Sequence, residues 1–142
     1  MVTGTYKRIE SLIASHIAKN YRRVAEVGVG ENVACARLLA RAGLDVFCTD
    51  IRPGPPDGGI PFFRDDVFSP SVSLYRDRDL IYSIRPHEEM VPPLIALARE
   101  VDCDLLVYHL GFEGYGRGGE LVDCGVILHR YHRCQNPSKR VL

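Results

Sequence analysis

The sequence predicts an α/β fold: a three-layer α/β/α sandwich on a mainly parallel sheet of about six strands, with an antiparallel last strand. Three observations carry that expectation. Residues 24–50, VAEVGVGENVACARLLARAGLDVFCTD, read as strand, glycine turn, helix, turn and second strand. Two later runs, 80–84 and 104–110, have the length and apolar character of parallel strands buried on both faces. Helical segments fall before and between these runs, as right-handed β-α-β units require.

The elements follow in order. Residues 5–20 form a first helix, with Tyr6, Ile9, Leu12, Ile13, His16 and Ile17 on one face and Lys7, Arg8, Glu10 and Lys19 on the other. His16 reads as a packing histidine. Val24, Ala25, Val27 and Val29 make the first strand; Gly28 and Gly30 make the turn, and Glu31 and Asn32 suit the first turn of a helix. That helix runs from Val33 to Ala42 and stops at Gly43. Leu44 to Thr49 is the second strand, and it ends in Asp50. The loop IRPGPPDGG replaces the helix expected before the third strand, so that layer is thin.

Ile60 to Arg64 is a short edge strand leading into Asp65, Asp66, Val67 and Phe68. Ser71 to Asp79 is a short helix or turn, and the alternating charges of Arg76, Asp77, Arg78 and Asp79 read as solvated surface. Leu80 to Ile84 is the fourth strand, followed by Arg85, Pro86, His87 and a helix opened by Glu88, Glu89, Pro92 and Pro93. Asp104 to Leu110 is the fifth strand, with His109 as a satisfied core residue. The segment GFEGYGRGGE is a flexible loop able to close over a ligand. It is no phosphate loop, because no GK[ST] helix follows. Leu121 to Leu128 is the last strand, beside the fifth, and a full antiparallel hairpin is hard to fit after residue 111.

Bulk properties narrow the class. The 142 residues suit one domain, 1–142. Lysine plus arginine and aspartate plus glutamate each number 18, so no global field draws in nucleic acid or an anionic membrane. There is no apolar run of about eighteen residues and no signal-peptide core, which predicts a cytoplasmic protein without membrane attachment. The five cysteines, Cys35, Cys48, Cys103, Cys124 and Cys134, are odd in number and lack CxxC spacing, so they read as reduced small hydrophobes. His129, His132 and Cys134 match no common zinc spacing, so no metal is expected. Arg130, Arg133, Lys139 and Arg140 with Tyr131 form a basic patch: a solvated tail, or an RNA contact.

The glycine turn is the chemical centre. A dinucleotide fingerprint places a third glycine where this chain has Val33. Glu26 stands two residues before Gly28 and Asp50 ends the next strand. An acid beside the turn repels phosphate and suits a ligand carrying an amino group, while Asp50 suits two ribose hydroxyls.

Glu26, Gly28, Gly30 and Asp50 resemble the first and second motifs of class I S-adenosylmethionine-dependent methyltransferases, which have a Rossmann-like fold. The family often has a third small residue where this chain carries Asn32. With EVGVG and a later SIRP, the chain also resembles a small uncharacterised family known mainly from archaeal genomes. The methyltransferase resemblance implies S-adenosylmethionine as cofactor. Glu26, Gly28 and Gly30 would line its methionine end, Asp50 would hold the ribose, and Ile51 or Arg52 would flank the adenine. Asp66, with Asp65 as fallback, would bind the adenine amino group, with Val67 and Phe68 against the ring. The family's fourth motif falls on Ser83–Ile84–Arg85–Pro86–His87, which lacks its acid or amide and its aromatic, so methylation of a base amine is unsupported. Arg85 remains a candidate for binding a carboxylate or phosphate, and His87 a candidate general base.

The expectation is therefore an S-adenosylmethionine-binding protein and candidate methyltransferase acting on a small molecule or an RNA. The contrasting readings are a non-catalytic module completed by a partner subunit or a second copy, and an NAD(P)-binding domain.

Overall fold

The computed structural model describes residues 4–54, 59–110 and 118–139. The glycine-rich segment 111–117, Arg140 and the side chains of Tyr6 and Lys7 lie outside the described residues. Three α-helices, α1 (Gly4–Asn20), α2 (Ala34–Arg41) and α3 (Val91–Val101), accompany seven strands. These are β1 (Arg23–Val27), β2 (Asp45–Asp50), β3 (Phe62–Arg64), β4 (Leu80–Ile84), β5 (Asp104–Tyr108), β6 (Glu120–Asp123) and β7 (Ile127–His132). They form one sheet in the order β3-β2-β1-β4-β5-β7-β6. Strands β3 to β5 pair in parallel, and β7 is antiparallel to both of its neighbours.

Each β-α-β step leaves one apolar layer on either side of the sheet. On one face α1 and α2 bury Ile13, Ile17, Cys35, Ala36 and Leu39 against Val24, Val46, Leu80, Tyr82 and Leu106. On the other, α3 lays Leu94, Leu97, Ala98 and Val101 over Ala25, Ile81, Leu105 and Val107, with Tyr75 beside them. Full burial of each aliphatic chain contributes about 1.5–3 kcal/mol. The sheet is therefore held from both faces, although only a single turn of 3-10 helix, Val72–Tyr75, joins β3 to β4.

The structure corrects the sequence reading in three places. The sheet has seven strands, and the run expected as one strand, Leu121–Leu128, is split between β6 and β7. Asp123 makes the hairpin: its Oδ1 accepts from Gly125 N at 3.0 Å, and Cys124 N donates to Val126 O at 3.0 Å. A final antiparallel hairpin thus does fit after residue 111. Second, Arg78 and Asp79 are enclosed, not solvated. Arg78 is 3% exposed and forks between Asp45 and Asp77, its Nη1 also donating to the carbonyls of Val24 and Asp45. The carboxylate of Asp79 accepts from Arg22 N and Arg23 N at 2.9 and 3.0 Å. These bonds lock the amino-terminal end of β1 to the segment that enters β4. Third, Glu10 of α1 faces inward, 2% exposed.

His109 is buried and shares a 2.6 Å hydrogen bond with the Tyr131 hydroxyl. Four of the five cysteines are buried, and all are free thiols. Among the described residues, no helix is long and apolar enough to cross a membrane.

Candidate ligand cleft

Because β1, β2 and β4 run parallel, their carboxyl ends meet at one edge of the sheet, and the turn after β1 lies between the ends of the other two. Thr49 O of β2 accepts from both Gly28 N at 2.9 Å and Val29 N at 3.2 Å, which folds the turn back over β2. Gly28 and Gly30 have φ of +74° and +59°, a region costly for other residues. A Cβ at Gly28 would also stand 3.0 Å from Met90 Cε. The glycines therefore leave bare backbone beside an open cleft.

That cleft has a volume of about 410 Å³, within the range of small-molecule sites. Its lining includes Val27, Gly28, Asp50, Ile51, Asp66, Val67, Arg85, Pro86, His87 and Met90. Most of the residues singled out from the sequence thus surround one space.

Asp50 is the hinge of the turn. Its Oδ2 accepts from Gly30 N at 2.8 Å and its Oδ1 from Arg52 N at 3.0 Å. A carboxylate has about four lone-pair positions, so capacity remains for two hydroxyls. Arg52 Nε stands 3.7 Å from Asp50 Oδ1, on the cleft side. Beyond β3, Asp65 also lines the cleft, but its oxygens are engaged: Oδ2 accepts from Tyr75 OH at 2.9 Å and Oδ1 from Ser71 N at 3.1 Å. Asp66 is exposed, and its Oδ1 accepts from Phe68 N at 3.0 Å in an Asx turn. Val67 is buried, while Ile51 and Phe68 stand 58% and 59% exposed as an apolar rim.

Glu26 and Gly30 are not in the lining. Glu26, expected at the methionine end, is enclosed under the turn, where Tyr82 OH donates to its Oε1 at 2.8 Å. Burial pushes its carboxyl up to about 8; the charge of Glu10 adds to that, and the Tyr82 hydrogen bond opposes it. Glu26 is thus a neutral acid supporting the turn from below at neutral pH.

On the β4 side, Arg85 N donates to Tyr108 O at 2.7 Å, and its guanidinium carbon lies 5.2 Å from the Tyr108 ring centre. Its Nη1 reaches Glu10 Oε2 at 3.4 Å. His87 is exposed beside it. Glu10 is the residue that sequence reasoning missed. The signal was present, since Glu10, Ile13, Ala14 and Ile17 share helical spacing and all four are buried.

The other candidates are engaged away from the cleft. His129 Nδ1 meets Gly118 O at 2.7 Å, His132 Nδ1 meets Cys103 O at 2.9 Å, and Cys134 Sγ donates to Asn136 O. No group of three metal-ligating side chains occurs among the described residues. Arg130 and Arg133 both pair with Glu120, and Lys139 donates to Val101 O.

A seven-stranded sheet with one antiparallel strand, a glycine turn after β1 and an acid closing β2 are those of a methyltransferase-like α/β fold. An S-adenosylmethionine-dependent methyltransferase from Mesorhizobium loti superposes with a TM-score of 0.51 at 16% identity, covering 89% of this chain and 75% of that one. A second, from Archaeoglobus fulgidus, gives 0.53 at 13% identity and covers 74% of this chain. This chain matches only 55% of the length of that second protein. The chain belongs to the uncharacterised protein family UPF0146, whose profile matches residues 9–116. A UPF0146 protein of Archaeoglobus fulgidus is 43% identical over 96 residues, 67% of this chain and 74% of its own length. Another, from Pyrococcus horikoshii, is 34% identical over 126 residues, 84% of this chain and 96% of its own.

Proposed function

We propose that this protein binds S-adenosylmethionine in the cleft and transfers its methyl group to a small acceptor. The observation that supports this is the order of groups around the bare Gly28 backbone. The carboxylates of Asp50 and Asp66 and the apolar side chains of Ile51, Val67 and Phe68 lie on the β2–β3 side. Arg85 and His87 lie on the β4 side. Such an arrangement fits an extended ligand, with its nucleoside against β2 and β3 and its polar tail toward β4. Asp50 has acceptor capacity for the ribose hydroxyls, Asp66 for the adenine amino group, and Val67 and Ile51 offer apolar contact to the ring.

When bound, S-adenosylmethionine supplies an electrophilic methyl group on a sulfonium. The chain's own part is alignment, with His87 placed to take a proton from an acceptor that must lose one. An RNA acceptor has little support, because Arg130 and Arg133 are already paired with Glu120. Val33, 6% exposed at the position a dinucleotide turn gives to glycine, argues against NAD(P).

Calorimetric titration with S-adenosylmethionine, S-adenosylhomocysteine and NAD, on the wild type and on Asp50→Ala, tests the reading. Micromolar binding of the adenosyl ligands, lost in the variant, is expected. Binding of NAD alone, or of none of the three, would overturn it. One observation favours a second reading, a module completed by another copy. Leu121 and Ile127 share one face of the hairpin through the Leu121–His129 and Asp123–Ile127 pairs, and both are exposed. A dimeric mass by light scattering, returned to monomer by Leu121→Asp, would support it.

A further inference from the structure

The cleft has a charged neighbour that the proposed cofactor contacts do not use. Glu10, on α1, is 2% exposed. Its Oε2 accepts from Asn32 Nδ2 at 3.0 Å and from Arg85 Nη1 at 3.4 Å. Its Oε1 is buried without a hydrogen-bond partner, alone in this among the side-chain atoms of the described residues. Leaving a buried carboxylate oxygen without a donor is costly. Asn32 satisfies the start of α2 with its oxygen, on Ala34 N, and gives its amide nitrogen to Glu10. The turn after β1 and the α1 carboxylate are therefore fixed to one another.

Arg85 carries a second cost at the same place. Its φ of 55° is left-handed, and the only other non-glycine residue of that kind among those described is Asp102, which ends α3. Backbone strain of this sort persists where the surroundings hold it, and functional sites collect it. The twist lets Arg85 N reach Tyr108 O and lays the guanidinium on the Tyr108 ring, between the cleft and Glu10. Glu10 also lines a separate groove of about 340 Å³ between α1 and α2, whose floor includes Ala34 at the start of α2. The Glu10–Arg85 contact at 3.4 Å thus links a side chain of the groove to one of the cleft.

We propose that Glu10 and Arg85 form the receptor for a zwitterionic α-amino acid. The Glu10 carboxylate takes the ammonium of the ligand, and the Arg85 guanidinium takes its carboxylate. The ligand class is a nucleoside joined through sulfur to an amino acid, so the assignment rests on the reading of the cleft given above. It turns Arg85 from the acceptor toward the cofactor and leaves His87 alone on the acceptor side. An ammonium offers the donors that Oε1 lacks, and a guanidinium matches a carboxylate in a bidentate fork.

The test compares two probes by calorimetry: S-adenosylhomocysteine, and 5′-deoxy-5′-methylthioadenosine, which keeps the nucleoside and sulfur and lacks the amino acid. The wild type is expected to prefer S-adenosylhomocysteine by about tenfold or more. Glu10→Gln keeps the size of the side chain, and Arg85→Gln removes the fork. Each should weaken S-adenosylhomocysteine by about tenfold to a hundredfold, the loss of a charge-assisted contact, and leave methylthioadenosine within about twofold. Retained methylthioadenosine binding also shows that each variant is folded. Equal binding of both probes by the wild type, or unchanged S-adenosylhomocysteine affinity in both variants, would overturn the receptor and leave the cofactor reading intact. Failure of the wild type to bind either probe would overturn both.

Discussion

Glu26→Gln should make the protein more stable, and only above mildly acidic pH. The carboxyl of Glu26 is enclosed by Tyr82, Cys35, Cys48 and the nearby Glu10, and burial is the main cause of its rise from 4.5 to about 8. The fold therefore holds this proton more tightly than the unfolded chain does. Below about pH 4.5 both states are protonated, and the group leaves stability unchanged. As pH rises, the unfolded chain releases the proton first, and the folded state loses about 1.4 kcal/mol per unit until Glu26 itself ionises near 8. The full interval corresponds to roughly 5 kcal/mol, a large part of a typical domain's stability. Glutamine keeps the shape and still accepts from Tyr82 OH, but has nothing to ionise. The two proteins should be alike near pH 4, and the variant ahead by about 3–5 kcal/mol near pH 8.5.

Urea unfolding followed by far-UV circular dichroism suits the measurement, since the chain has no tryptophan. Taking the difference between the two proteins removes the contributions of other titrating groups. His16, for example, lies below its usual value through burial and the charges of Arg130 and Lys19, and so adds stability as pH rises. A difference that stays constant across this range, or one that favours the wild type as pH rises, would refute the argument.

Arg78→Ala should destabilise by about 2–3 kcal/mol and lower the melting midpoint by roughly 6–10 °C in a thermal scan, because it strips donors from Val24 O and Asp45 O. Its partners Asp45 and Asp77 are 62% and 67% exposed, so they can be rehydrated and the loss stays moderate. Gly28→Ala should cost about 1–2 kcal/mol in unfolding free energy from its φ, and abolish adenosyl-ligand binding by calorimetry as the new methyl group and Met90 fill the cleft. Tyr75→Phe removes the hydroxyl shared by Thr49 and Asp65 and should lower stability by about 1 kcal/mol in urea unfolding, with little change in ligand affinity.

The β-α-β unit was legible because its signals are local: a short apolar run, two glycines, a helix and an acid-ended strand lie within residues 24–50. Asp50, Ile51, Asp66, Val67, Arg85 and His87 could be located because parallel strands bring their carboxyl ends to one edge whatever else the chain does. What escaped depends on partners distant in sequence. Arg78 looks like one charge in an alternating row until Asp45, 33 residues earlier, comes alongside it. Glu10 looks solvated until Asn32 and Arg85 enclose it. Glu26 was expected at the methionine end of the ligand, but its side chain leaves β1 on the other face. Alternation along β1 sends it to the α1–α2 face, away from Val27, which lines the cleft. The hairpin was read through because Asp123-Cys124-Gly125 interrupts the apolar run so briefly.

That hairpin also bears on how the protein avoids sticking to itself. Residues Leu105–Val107 of β5 are fully enclosed and apolar, and without β7 they would present a naked row of amides and carbonyls of the kind that templates aggregation. With β7 and β6 in place, the sheet closes at its two outer edges on strands of only four and three residues, β6 and β3. Each copy therefore offers a neighbouring chain only a short border at β6. The last described strands thus act as a selvedge for the sheet. Deleting them should leave the residues of the ligand cleft in place and yield a protein that precipitates.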